Sequence, residues 1–328
     1  MDSLQNTDVQ HDPRMQRELL LSLVVPVYNE ECVVDRFLER VNQVFAPETR
    51  IDLEFVFVND GSTDQTLVHL LALQKLNSTI KIIELSRNFG KEAALSAGLN
   101  EAKGQIVVPI DADLQDPPEL IIKMIEQWRC GYDVVLAKRV NRDADSWAKR
   151  TTASFFYRIH NWMADTCIPE NVGDFRLMDR AVVDALNCFP ESRRFMKGLF
   201  AWLGFRTSIV EYVRPVRVAG NSKLNGWFLW NFALEGITGF GTAPLKLWTY
   251  LGSIVALTSV LFAILIMLRT ILYGIDVPGY ASIIVAVTFL GGLQLIGIGV
   301  IGEYLGRTYV ESKRRPVYII RRVYTAED

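Results

Sequence analysis

Gln105-Ile106-Val107-Val108-Pro109-Ile110-Asp111-Ala112-Asp113-Leu114-Gln115-Asp116-Pro117-Pro118-Glu119 is the stretch that decides the fold of this 328-residue chain. A short apolar run ends on a cluster of oxygen-bearing side chains, and two prolines then open a helical pattern over Pro118–Arg129. Strand, polar crevice and helix thus follow one another, and the same rhythm repeats on both sides. Leu19–Val27, Ile51–Asn59, Lys81–Leu85, Gln105–Ile110 and Asp133–Ala137 read as strands. Cys32–Phe45, Asp64–Gln74 and Lys91–Ala102 read as helices, with Thr63 placed to cap the second. The alternation predicts an α/β domain with a mostly parallel, Rossmann-like sheet that binds ligands beyond the carboxyl ends of its strands.

Composition narrows the classes further. A net charge of -2 calls for no nucleic acid, and the chain is apolar enough to fold. Cys32, Cys130, Cys167 and Cys188 are scattered without a C-x-x-C pair, and His11, His69 and His160 stand apart, so any metal is expected on oxygen ligands. Residues 1–17 carry acidic side chains and no apolar core, the pattern of a mobile tail rather than a signal peptide, which keeps the N-terminus cytoplasmic. Leu247–Leu268 and Val277–Gly302 are uncharged runs, each long enough at about 1.5 Å per residue to cross about 30 Å of hydrocarbon.

Arg269–Asp276 joins these runs into a transmembrane hairpin. Lys246 before it and Arg307, Lys313, Arg314 and Arg315 after it place both ends, and the catalytic domain, on the cytoplasmic side. Asn221–Lys246, rich in Trp and Phe, reads as amphipathic helices lying in the interface, although a core helix explains it too. The expected organisation is therefore a tail over 1–17, a catalytic domain over 18–218 and juxtamembrane helices over 219–246. The hairpin follows over 247–305, and a basic cytoplasmic tail over 306–328. Gly297-Ile298-Gly299-Val300-Ile301-Gly302 matches a dinucleotide pattern, but inside an apolar span its small residues serve helix packing.

If the chain stays extended past Ile110, alternate side chains place Asp111, Asp113 and Gln115 on one side of the crevice, as ligands for Mg²⁺ or Mn²⁺ bridging a diphosphate. A solvated turn with capping aspartates is the competing explanation. Val25-Pro26-Val27-Tyr28-Asn29-Glu30 and Asn59-Asp60-Gly61-Ser62-Thr63-Asp64 close the first two strands with acidic groups that can accept from a nucleoside. Arg139 follows the fifth strand, and Arg150, Ser154 and Arg158 recur every four residues on an expected helix Trp147–Met163, a basic stripe suited to phosphate oxygens. A phosphate monoester is already mostly dianionic at neutral pH, so an enzyme using it as nucleophile must orient it more than deprotonate it.

V-P-V-Y-N-E, N-D-G-S-T-D, S-R-N-F-G-K and D-A-D-L-Q-D-P-P-E, in that order at strand ends, resemble the family 2 glycosyltransferases of the GT-A fold. Among these the chain is most similar to the polyprenyl-phosphate glycosyltransferases, and the hairpin resembles the bactoprenol glucosyltransferase branch. The resemblance covers Leu19 to about Val218. It implies a nucleotide-sugar donor, an inverting transfer and a lipid phosphate acceptor in the bilayer. It places Pro26, Tyr28, Glu30 and Asp60 at the nucleoside, with Asp111, Asp113 and Gln115 at the metal and diphosphate. Lys91 falls near the donor, although Asn88-Phe89-Gly90-Lys91 equally suits a helix start.

Arg139, Arg150 and Ser154 match the positions that hold the lipid phosphate. Gly173-Asp174-Phe175-Arg176 and Gly220-Asn221-Ser222-Lys223 resemble later segments near the two phosphates. They make Asp174 a candidate catalytic group, Arg176 an acceptor-phosphate ligand and Lys223 a partner of the leaving diphosphate. UDP-glucose is the first choice of donor and GDP-mannose the second, and homo-oligomerisation is left open. The Q-x-x-R-W segment of processive synthases is missing, and a non-catalytic scaffold would need none of these carboxylates and arginines.

Overall fold

The computed structural model describes residues 18–140, 172–189, 191, 199–200, 202–213 and 279–325, with scattered helical positions between 248 and 273. Two compact units divide the chain: Met1–Ser154, Ile168–Lys223 and Pro316–Asp328 form the first, Phe155–Cys167 and Leu224–Arg315 the second. The expected tail over 1–17, the helix Trp147–Met163 with Arg150, Ser154 and Arg158, and the interfacial segment with Lys223 lie outside the described residues.

The first unit is built on an eight-stranded sheet. Its elements are β1 (Leu19–Val27), α1 (Val34–Phe45), β2 (Ile51–Asn59), α2 (Thr66–Leu76), β3 (Ile80–Leu85), α3 (Lys91–Glu101), β4 (Ile106–Pro109), α4 (Glu119–Arg129) and β5 (Val134–Arg139). β6 (Val172–Asp179), α5 (Arg180–Asn187), β7 (Thr207–Tyr212) and β8 (Ile320–Tyr324) follow among the described residues. The strand order is β7-β5-β6-β4-β1-β2-β3-β8. Pairing is parallel across β4-β1-β2-β3 and between β5 and β7, whereas β6 and β8 run against their neighbours.

Near-continuous apolar strands are what a sheet covered on both faces requires. Successive β2 residues face opposite ways, so Phe57 meets Phe37 of α1 edge to face at 6.2 Å, while Val58 and Val24 pack against Gly98 of α3. α1 buries Val34, Phe37, Leu38, Val41 and Phe45, the stripe of an amphipathic helix. α3 is buried along Ala93–Leu99, where small side chains let it lie close to the sheet. α4 buries Leu120, Ile121, Met124, Ile125 and Trp128, and the Trp128 indole donates to Asp179 at 2.7 Å.

Three strands add to the sequence reading, β7 pairing parallel with β5 at one edge of the sheet. β6 enters antiparallel between β4 and β5. The segment expected as a basic tail supplies β8, which covers the edge of β3. Buried Glu84 receives Arg321 Nη1 at 3.2 Å and the Tyr324 hydroxyl at 3.0 Å, so the basic residues neutralise a carboxylate of the sheet. Thr63 does not cap α2. The N-cap position is Gln65, without a side-chain cap, and just before it Asp64 Oδ1 accepts from Thr66 N at 3.0 Å and Thr66 Oγ1 at 2.6 Å, because a carboxylate two residues back reaches that amide.

In the second unit, α6 (Tyr280–Ser312) runs well beyond the expected end of the span at Gly302. Its Phe289–Ser312 part is the one helix, among the described residues, long and apolar enough to cross a membrane, by length and composition alone, and almost none of it is buried. The earlier apolar run is described only at scattered positions, all helical, such as Thr258, whose hydroxyl bonds back to Ile254 O at 2.9 Å. The Trp248 indole lies where a Cβ on Gly297 would stand, so that glycine is a packing residue and not a phosphate-loop residue.

Candidate active site

The strand order reverses at β1. The chain proceeds through β2 and β3 on one side and returns through α3 to β4 on the other. The carboxyl ends of β1 and β4 therefore open a crevice where such sheets take their ligands. The loops after β1, β2, β3, β4 and β5 and the start of β6 supply its side chains.

At the exit of β1, Asn29 adopts φ 57°, a left-handed conformation that asparagine tolerates. Its Oδ1 accepts from Thr63 N at 2.8 Å, its own amide donates to Ser62 Oγ at 3.0 Å, and Glu30 N donates to Thr66 Oγ1 at 2.9 Å. These bonds pin the Tyr28–Glu30 corner to the loop after β2. Pro26 is partly buried, whereas Tyr28 is 47 % exposed and offers its ring to the crevice mouth.

Asp60, expected at the nucleoside, is buried, and each of its oxygens accepts a backbone amide, from Phe89 at 2.7 Å and from Gly90 at 2.9 Å. Burial raises its pKa and the two amides oppose the rise. Asp60 thus orders the loop that leads into α3. Gly61 (φ +67°) must be glycine, since a Cβ there would lie 2.5 Å from the Arg87 carbonyl carbon.

That loop delivers Lys91 to the carboxylates. Its Nζ lies 2.6 and 2.8 Å from the two oxygens of Asp111 and 3.4 Å from Asp174 Oδ2. β6 pairs antiparallel with β4, Asp179 with Ile106 and Met178 with Val107, so its earlier residues run toward the loop after β4 that carries Asp111. Partial burial works to lower the Lys91 pKa, but Asp111 and Asp174 outweigh it and the ammonium is held above its usual range. Burial raises the Asp111 carboxyl, Lys91 lowers it, and Asp116 and Asp113 add to the rise, leaving it raised.

The extended path expected past Asp111 is a turn instead. Leu114 takes φ 56°, and Asp113 Oδ1 accepts the Gln115 amide at 3.1 Å. The alternation that would have aligned Gln115 with the aspartates breaks there: Asp113 is exposed and Gln115 is buried. Among the described residues no three His, Cys, Asp or Glu side chains converge as a preformed cage. Mg²⁺-type sites need only one or two carboxylates when substrate phosphates complete the shell. Asp111 and Asp113 fit that chemistry, because Glu30 is raised first by burial and then by the charges of Asp113 and Asp111, a repulsion that a cation would relieve.

Arg139 closes β5 in register with Tyr212 of β7. Its Nε donates to the Tyr212 hydroxyl at 3.1 Å, and that hydroxyl donates to Asp116 Oδ1 at 2.5 Å, with Arg139 Nη2 3.8 Å from the same oxygen. Burial works against the Arg139 charge, yet Tyr212, Asp116 and Asp111 outweigh it and raise the pKa. Sequence reasoning missed Tyr212 and gave Asp116 no role. Asp116 stood within a quoted motif, whereas no local signal ties Tyr212 to it.

Arg176, expected at the acceptor phosphate, is turned inward. The guanidinium is buried, donates to Gly173 O at 2.7 Å and lies 3.8 Å over the Phe200 ring. Burial brings its pKa down to about 10, so it remains charged at neutral pH. Here it holds the Gly173–Asp174 backbone. The structure therefore gathers Glu30, Lys91, Asp111 and Asp174 on one side and Arg139 with Asp116 and Tyr212 on the other.

Residues 22–186 match the model of glycosyl transferase family 2. An uncharacterized glycosyltransferase of Synechocystis sp. is 53 % identical over 307 residues, covering 94 % of this chain and 96 % of the relative. The prophage bactoprenol glucosyl transferase homolog of Escherichia coli K12 is 51 % identical over 303 residues, covering 92 % and 99 %. The bactoprenol glucosyl transferase of Shigella phage SfV is 52 % identical over 301 residues, covering 92 % and 98 %. The strand-end carboxylates, the sheet that presents them and this likeness along nearly the whole length agree: the chain is a glycosyltransferase and belongs to family 2.

Proposed function

We propose that this glycosyltransferase moves glucose from UDP-glucose to a polyprenyl phosphate at the cytoplasmic face of a membrane, with inversion at the anomeric carbon. The observation that carries the reading is the pairing, in one crevice, of an acidic side around Asp111 with a cationic side at Arg139. The bactoprenol glucosyl transferases that resemble the chain over 92 % of its length favour the same donor sugar and acceptor. Pro26, Tyr28, Glu30 and Asp60 border the nucleoside position. Asp111 and Asp113 hold Mg²⁺ or Mn²⁺, which when bound neutralises the diphosphate of the donor.

Lys91 is the chain's own cation beside the leaving group, and Lys223 is assigned to the same diphosphate. Arg139, with Arg150 and Ser154, orients the phosphate monoester. One of its oxygens attacks the anomeric carbon as the bond to UDP breaks. The dianion carries no proton that must leave, so Asp174 positions Lys91 and the acceptor rather than acting as an obligatory base. The apolar stretch of α6 and the run over 247–268 form the membrane hairpin, which keeps the crevice near the lipid-borne acceptor.

The test supplies radiolabelled UDP-glucose, and GDP-mannose in parallel, to sealed membrane vesicles containing the full chain, polyprenyl phosphate and Mg²⁺ or Mn²⁺. Label should enter the lipid from UDP-glucose, in inside-out but not right-side-out vesicles. Label from GDP-mannose alone would replace the sugar and nucleotide. Absence of lipid-linked label with every donor would overturn the reaction, and product in right-side-out vesicles alone would overturn the orientation.

A further inference from the structure

We infer that Tyr212, itself held by Asp116, is a positioning residue that fixes the Arg139 guanidinium for the acceptor phosphate. The inference rests on the acceptor-phosphate reading of Arg139 and goes beyond it in naming what orients that arginine. A guanidinium carries five donors in a rigid plane, and the value of that fork depends on the plane being set before the phosphate arrives. Arg139 Nε is committed to the Tyr212 hydroxyl at 3.1 Å, and Nη2 faces Asp116 Oδ1 at 3.8 Å. One edge of the plane is thereby fixed. The side chain keeps 30 % of its surface exposed, so it is not sealed in the core.

The holders are themselves firmly placed. Tyr212 is buried, stands in register with Arg139 across the β5–β7 pair, and packs edge to face on Phe175 at 6.3 Å. Asp116 is buried behind the turn that carries Asp111 and Asp113. Electrostatics alone gives no reason for this arrangement. A carboxylate 3.8 Å from an arginine that must attract an anion weakens the attraction, and what it supplies in exchange is orientation. Burial beside Asp116 pushes the Tyr212 phenol up to about 12, so it stays protonated and bridges the arginine and the carboxylate. A structural tyrosine would need only its ring, whereas this hydroxyl accepts from one crevice residue and donates to another.

The experiment compares Tyr212→Phe, Arg139→Lys and the double variant of the full chain in detergent, by KM for polyprenyl phosphate, KM for UDP-glucose and melting temperature. Tyr212→Phe should raise the acceptor KM by about 3- to 10-fold, the scale of immobilising one long side chain, and leave the donor KM unchanged. Arg139→Lys should raise the acceptor KM further. On the Arg139→Lys background the Tyr212 effect should vanish, because lysine has no Nε to hold. Equal rises in both KM values, or an undiminished Tyr212 effect on that background, would overturn the positioning role and leave the acceptor reading intact. An unchanged acceptor KM in Arg139→Lys would overturn the acceptor reading itself. Should Tyr212→Phe fail to fold, Asp116→Asn, which keeps the shape and weakens the hold, is judged by the same split.

Discussion

Around Asp111, the carboxylates of Glu30, Asp113 and Asp174 crowd a region where Lys91 supplies the positive charge; around Arg139, one cation is bracketed by a carboxylate and a phenol. On the first side burial and mutual repulsion keep Glu30 and Asp111 above the usual carboxylate range. On the second, the arginine is compensated and geometrically fixed. On the proposed function the difference is that the two sides meet different demands. A diphosphate arriving with a divalent cation needs a site left short of positive charge, whereas a bare phosphate monoester needs a cation already aimed.

Removing the centre of the acidic side is the most direct way to break this contrast. Asp111→Asn should reduce lipid-linked sugar formation on the order of 10³-fold with the melting temperature preserved, read by product assay beside a thermal melt. Near-normal turnover would mean that the acidic side does not serve the donor.

Arg176 sharpens the comparison from within, since it is an arginine near the crevice that the fold has consumed. Arg176→Met should cost about 2–3 kcal/mol by stranding the Gly173 carbonyl and losing the Phe200 stack. That corresponds to a fall in melting temperature of about 5–10 °C for a domain of this size. The acceptor KM of the folded fraction should change less than in Arg139→Lys. A large acceptor KM effect with an unchanged melt would return Arg176 to the phosphate.

The smallest effect is expected at Glu30. Its folded pKa lies above the unfolded one, so the folded state binds more protons in that window and loses stability as pH rises through it. Glu30→Gln removes that cost. The melting temperature should rise at neutral pH, the gain should fade as pH falls below the ordinary range of a glutamate, and donor affinity should weaken. A gain that persists in acid would show that the buried charge of Glu30 is not its source.

How far the residues could be read in advance differs along the chain. β1 and β2 have the bounds expected of them, Leu19–Val27 and Ile51–Asn59, because buried parallel strands are continuous apolar runs that end on polar loops. β6 carries Asp174, Arg176 and Asp179 within eight residues, and β8 carries two arginines, so neither has the apolar signature. Both nonetheless pair because neighbouring strands leave them an edge or a gap. Asp111, Lys91 and Asp174 stand in motifs, and Arg139 is marked by its place after the fifth strand. That Lys91 joins Asp111 to Asp174 depends on β6 entering antiparallel beside β4, which no motif records.

By itself, then, the sequence determined the strand-and-helix order through β5, the residue types gathered at the strand ends and the apolar runs after Lys246, since all of these are local patterns of hydrophobicity and turn chemistry. Only the tertiary structure decided which way those side chains work. It turned Gln115 and Arg176 inward, spent both Asp60 oxygens on backbone amides and brought Tyr212 and Asp116 to Arg139. The reason is that burial and partnership depend on what the fold carries in from distant parts of the chain. Tyr212 and Asp116 lie 96 residues apart and meet only because β7 pairs with β5.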